Sequence, residues 1–175
     1  ASQSACSGLK VVGQLSPLAG RVRLGANVRV GYFAQEQESL DADSTPLDTV
    51  RAIASFNDTD ARAFLHYFLF TGDEPLTPNR LLSAGERARL MLAVLVAQGS
   101  NLLLLDEPIN HLDIPSRTRF EQALAGFRGT ALAVVHDRYF IRGFAREVGA
   151  VEAGVITVRY GLEEVEGRGE EAKPP

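Results

Sequence analysis

The chain has 175 residues, 45% apolar and 23% charged, with a formal net charge of −4, which suits a soluble globular domain with a core of its own. That negative balance gives the chain as a whole no means of coating DNA or an anionic membrane, so any nucleic-acid contact must be local. No run approaches the roughly 18 apolar residues of a bilayer span, no signal peptide is found, and the lone Cys6 excludes an internal disulfide, so a cytoplasmic protein without membrane insertion is expected.

In chain order, alternation of polar and apolar residues over 20–34 predicts two short strands, 21–24 and 27–33, paired as a hairpin around Gly25-Ala26-Asn27. From Thr45 the period changes. Leu47, Val50, Ile53 and Ala54 share one helical face, with Thr45-Pro46 as cap and first turn. A second helix, rich in aromatic residues, is expected over 60–70, and 71–79 has loop composition, with one Gly and two Pro. A third helix is expected over 83–98: Ser83 is a natural N-cap, Glu86 its capping-box partner, and Leu90, Ala93, Val94, Val96 and Ala97 form an apolar side. The uninterrupted apolar runs 102–105 and 131–135 read as strands covered on both faces. The helical period of 115–127 between them makes a parallel crossover. A hairpin turning at Ala153-Gly154 is expected over 148–160, and the polar residues beyond Val165 read as a disordered tail.

Asp106 and Glu107 stand at the carboxyl end of a buried parallel strand, where open α/β sheets bind ligands. The first carboxylate can hold Mg²⁺ through water, and the second can orient or deprotonate a water for in-line attack on a γ-phosphate. His136 follows the next strand at the equivalent end and could donate to the same phosphate. Ser83-Ala84-Gly85 opens a helix, where a hydroxyl, backbone amides and the helix dipole favour an anion. Gln35, just after a strand, offers a neutral oxygen to Mg²⁺ or water. Taken singly, each has a plainer reading: a solvated turn, a structural histidine, an ordinary N-cap, a solvated glutamine. Their order along one chain favours the chemical reading.

In that order and spacing, these residues resemble an ATP-binding-cassette (ABC) ATPase domain, and more narrowly the second cassette of the ABC-F branch, over about 12–160. Leu82-Ser83-Ala84-Gly85-Glu86 is similar to the signature motif, and the run from Leu102 to Glu107 to Walker B with its catalytic glutamate. Asn110-His111-Leu112-Asp113 is similar to the D-loop, Gly31-Tyr32-Phe33-Ala34-Gln35 to the Q-loop, and His136 to the switch histidine. The most specific stretches are Asp106-Glu107-Pro108-Ile109-Asn110-His111-Leu112-Asp113 and His136-Asp137-Arg138-Tyr139-Phe140. The resemblance implies an α/β, P-loop NTPase-like cassette, here partial, with parallel core strands, a helical signature subdomain and a C-terminal β-hairpin. The implied domain is 1–162, with a helical insert over 45–82 and signature to hairpin over 83–160; 163–175 is the tail.

It further implies ATP and Mg²⁺ as ligands, with Asp106 and Gln35 on the metal and Glu107 and His136 as catalytic residues. Ser83, Ala84, Gly85, Glu86, Gln35 and Asp113 would bind nucleotide, the signature and D-loop residues acting on ATP held by an opposite cassette. The implied partners are a second cassette and the ribosome. Ala84 replaces a Gly of the family pattern, Ile109 a Thr and Val135 a Ser. No G-x-x-x-x-G-K-[ST] phosphate loop occurs, and the phosphate-binding lysine should fall near Ser4. The expectation is therefore a truncated cassette, impaired in hydrolysis by itself. Ala1-Ser2-Gln3 read one base out of frame can spell Gly-Lys-Ser, which predicts a start just past a frameshift. Two other readings are a non-catalytic module docking through the helices of 45–70, and the motor subunit of a membrane transporter. Asn110-His111 and Arg138-Tyr139-Phe140 match ABC-F better than a transporter subunit.

Overall fold

A computed structural model describes residues 21, 23–33, 40–152 and 155–160. The chain forms two compact units, one ending at Val134 and the other starting at Val135. The expectations for Cys6, Gln35, the Ala153-Gly154 turn and the tail lie outside the described residues.

The first unit is built on three parallel strands, β1 (Val30–Phe33), β2 (Leu102–Asp106) and β3 (Thr130–Val134), in the order β1-β2-β3. The central strand β2 is buried from Leu103 to Asp106, as a strand flanked by two others and covered on both faces must be. Its register sets Leu102 against Val30 and Thr130, and Asp106 against Val134.

The expected hairpin over 21–33 does not form among the described residues. The turn is present, with the Val28 N–H donating to Gly25 O at 3.1 Å, but among the described residues no strand precedes it. The chain is held instead by a partner distant in sequence. Asn101 accepts from the Arg29 N–H through Oδ1 (2.8 Å) and donates from Nδ2 to Asn27 O (2.8 Å), aiming β1 into parallel pairing with β2. Leu24 and Val28 stay exposed.

Helix α1 (Pro46–Ala54) begins where Thr45 Oγ1 accepts from the Asp48 N–H, with Pro46 in its first turn. Leu47 and Val50 are buried, and Ile53 and Ala54 half-buried. Helix α2 (Asp58–Tyr67) starts earlier than its apolar pattern because Asn57 caps it, accepting from the Asp60 N–H at 2.8 Å. It also stops earlier. Leu69 turns left-handed at φ +61°, and the Phe68 and Leu69 carbonyls accept from the guanidinium of Arg89. That buried cation also lies 4.9 Å from the Phe70 ring centroid, and burial lowers its pKa. The next loop contains two short 3₁₀ turns, Glu74–Leu76 and Asn79–Leu81. Asn79, fully buried, ties it to the segment before α1 and to α1 itself by donating to Asp41 O (2.8 Å) and Thr49 Oγ1 (3.2 Å).

Helix α3 (Ala84–Ala97) has the expected capping box of Ser83 and Glu86. A single apolar side was expected, yet every residue from Ala88 to Leu95 is buried. The helix runs through the centre of the unit, packed by α1, by β1 and by α4 (Ile114–Ala125), and a helix enclosed on several sides needs apolar surface all round. Phe33 on β1 meets Phe120 on α4 edge to face, at 5.8 Å between centroids.

The second unit has helix α5 (Arg138–Phe144) and an antiparallel pair, β4 (Glu147–Glu152) and β5 (Val155–Tyr160), registered from Glu147 on Tyr160 to Glu152 on Val155. Pairing of the terminal strands was expected. Helix α5 was not, and Asp137 explains it: its carboxylate accepts from the Tyr139 (2.9 Å) and Phe140 (3.0 Å) N–H groups as N-cap.

Candidate functional site

The carboxyl end of β2 carries the two acids. Asp106 is the last residue of the strand and is buried, with 8% of its surface exposed. Tyr32 on β1 donates its hydroxyl to Asp106 Oδ2 at 3.2 Å. Burial, and then the carboxylate beside it, push the Tyr32 pKa up. Glu107 continues the ladder by one bond, its N–H donating to Val134 O at 3.0 Å, and then turns the chain with φ +48°.

That backbone angle is costly for a residue with a side chain, about 1–3 kcal/mol. Hydrogen bonds from the next few residues hold it in place. The Asn110 N–H donates to Glu107 O (3.1 Å), the Asn110 amide donates to Glu107 Oε2, and the Leu112 N–H donates to Ile109 O (3.2 Å). Pro108, Ile109 and Leu112 are buried beneath the turn, and His111 has φ +66°. The turn delivers Asp113, an exposed residue, to the start of α4, where its carboxylate caps the helix by accepting from the Ser116 N–H at 3.0 Å. Hydrogen bonding from Ser116, side chain first and then backbone, holds the Asp113 pKa below its ordinary value.

The start of α3 lies against the start of α4. A Cβ on Gly85 would come within 2.4 Å of Ser116 Oγ and 2.5 Å of its Cβ, so only glycine allows the two helices this approach. Ser83 and Asp113, the two caps, thus belong to adjoining helix N-termini, each with first-turn amides that no helix bonds internally. The Ser83 hydroxyl accepts from the Glu86 N–H (3.3 Å) and donates to Glu86 Oε2 (2.8 Å). An incoming anion must therefore compete with Glu86 for that donor. Ala84 is exposed at the first position of α3.

Of the sequence candidates in the first unit, Asp106 and Glu107 share one strand end, and Ser83, Ala84, Gly85, Glu86 and Asp113 share the paired helix starts. His136 belongs to the second unit, exposed, two residues after β3 in the chain. Gln35 lies outside the described residues. Tyr32, Asn110 and Ser116 carry contacts that the motifs alone do not assign. The signal for Tyr32 is its register, since it faces Leu104 across the ladder and Asp106 is two residues on, on the same face.

Among the described residues, no cluster of three or more His, Cys, Asp or Glu could hold a metal. Mg²⁺ does not need one, as it takes one or two carboxylates and fills its remaining positions with waters and phosphate oxygens. The carboxylate of Asp106, at the carboxyl end of β2, fits that requirement. Among the described residues, no helix is long and apolar enough to cross a membrane.

A family model described as ABC transporter matches residues 10–110. The chain is 44% identical over 139 residues to the YdiF protein of Bacillus subtilis (strain 168), covering 79% of this chain and 22% of that one. It is 37% identical over 155 residues to the ATP-binding protein Uup of Escherichia coli (strain K12), 86% of this chain and 24% of that one. It is 42% identical over 149 residues to ABC transporter F family member 5 of Arabidopsis thaliana, 83% of this chain and 22% of that one. The chain thus spans between a fifth and a quarter of the length of these relatives.

Proposed function

The chain belongs to the ABC ATPases, in their ABC-F branch, and from that premise we propose that it carries the hydrolytic acids of its own cassette's nucleotide site and, separately, the trans-acting helix starts that complete the ATP site of an opposite cassette. The observation that carries this reading is the contact of Gly85 with Ser116, which joins the signature-like and D-loop-like segments into one surface. Two adjoining helix N-termini present amides and positive dipole ends in one place, which favours a polyphosphate. In this reading Ser83, Ala84, Gly85, Glu86 and Asp113 engage ATP held by a second cassette.

At the strand end, Asp106 holds the metal side of the site and Glu107 takes the proton from the water that attacks the γ-phosphate. The Asn110 amide orients the Glu107 carboxylate for that transfer. Bound Mg²⁺ supplies neutralisation of charge on the phosphate oxygens. The roles of Gln35 as a metal and water ligand and of His136 as switch histidine rest on their motifs. Partnership with a second cassette, work on the ribosome and a cytoplasmic location are parts of the same proposal. The 175 residues contain no G-x-x-x-x-G-K-[ST] segment, so hydrolysis by them alone is not expected.

The test is ATP turnover by an ABC-F cassette that carries its own phosphate loop, measured with and without this chain. The expected result is a rise in turnover that saturates with added chain and is lost with Ser83→Ala and Asp113→Ala. Turnover indifferent to the chain would contradict the proposal.

A further inference from the structure

Alternation along β1 sends successive side chains to opposite faces of the sheet. Phe33 goes to the side of α4, where it meets Phe120, while Tyr32 stays half-buried on the other side and spends its hydroxyl on Asp106 Oδ2. A core position would be filled as well by Phe. The added oxygen has its partner in Asp106, the one carboxylate among the buried polar residues of those described.

We infer that Tyr32 is a positioning residue for Asp106, fixing the carboxylate through a donated hydrogen bond so that it is presented to a divalent cation in one orientation. The inference deepens the proposed function and rests on its reading of Asp106 as the metal-side ligand. A carboxylate has about four lone-pair sites, and one hydroxyl uses one of them, so coordinating capacity remains. Without the hydroxyl, Asp106 is free to turn about its side-chain torsions, and each productive contact must then order it anew. Partners that orient a ligating carboxylate typically change metal affinity by about 10–100-fold. Tyr32 also lies in the strand that leads to Gln35, so the bond ties the Q-loop-like segment to the end of β2.

The test uses the whole chain, without nucleotide, titrated with Mn²⁺ while paramagnetic broadening of the backbone amides from Leu105 to Glu107 is followed by NMR. Wild type is expected to broaden selectively at these amides, Tyr32→Phe to need about tenfold more Mn²⁺ for the same broadening, and Asp106→Asn to lose the selectivity. In the Asp106→Asn background, Tyr32→Phe should change nothing further. Equal titrations of wild type and Tyr32→Phe would overturn the inference, as would wild type without selective broadening. A purely structural role would lower the urea midpoint of Tyr32→Phe without moving the Mn²⁺ titration. Because no nucleotide is present, a chain that passes this test yet fails to raise ATP turnover overturns the proposed function alone.

Discussion

Asp113 caps a helix and, in the proposed function, also faces the nucleotide of an opposite cassette. Its carboxylate caps α4 through the Ser116 N–H, and hydrogen bonding from the Ser116 side chain first, and then from that N–H, depresses its pKa below the ordinary value of 3.8. A depressed carboxyl pKa stabilises the fold above the unfolded value and loses that contribution as pH falls through the folded value. Asp113→Ala should therefore lower the urea midpoint at pH 7, and the gap from wild type should close as the pH is taken below about 4. A gap that stays constant or widens on acidification would contradict the assignment. Glu107 and His111 are the other telling residues. Both are left-handed in a turn that contains no glycine, so the turn is held by its hydrogen bonds and its buried Pro108, Ile109 and Leu112.

At the scale of elements, the approach of α3 to α4 is the feature on which the proposed surface depends. Gly85→Ala gains about 1 kcal/mol of helix propensity but overlaps Ser116, a misfit of about 1–3 kcal/mol. The variant is expected to melt below wild type, and Ser116→Gly, which removes both atoms in closest contact, should restore part of the loss. Independent, additive effects in that pair would rule out the contact. The elements legible in the sequence were those announced by a local chemical signal: Thr45-Pro46 before α1, the Ser83 and Glu86 box of α3, the apolar run of β2. Those misjudged depended on distant partners. Period-2 alternation over 21–33 cannot reveal that β1 pairs with β2, some seventy residues on, and α2 ends where Arg89 takes the carbonyls of the two residues that follow it, Phe68 and Leu69. Helix α5 has only seven residues, too few for a clear helical period, and its cap, Asp137, falls within the motif around His136.

For the molecule as a whole, the sheet collects Asp106, Glu107 and the end of β1 at one carboxyl edge, while the packing of α3 on α4 gathers the signature-like and D-loop-like residues. The positions of both acids could be read from the sequence, since a buried parallel strand fixes where its carboxyl end falls. The bond from Tyr32 to Asp106 and the closeness of Gly85 to Ser116 could not, because each needs a register or a helix approach that only tertiary packing sets. In the proposed division of labour, these residues bring the acids and the trans contacts, and the phosphates on which the trans contacts act are held by a second cassette. The most direct test is titration of the isolated chain with a fluorescent ATP analogue and Mg²⁺. The division predicts no saturable binding tighter than about 100 μM, roughly −5.5 kcal/mol. Tighter binding, abolished by Asp106→Asn, would mean that another group in this chain grips the phosphates and would contradict it.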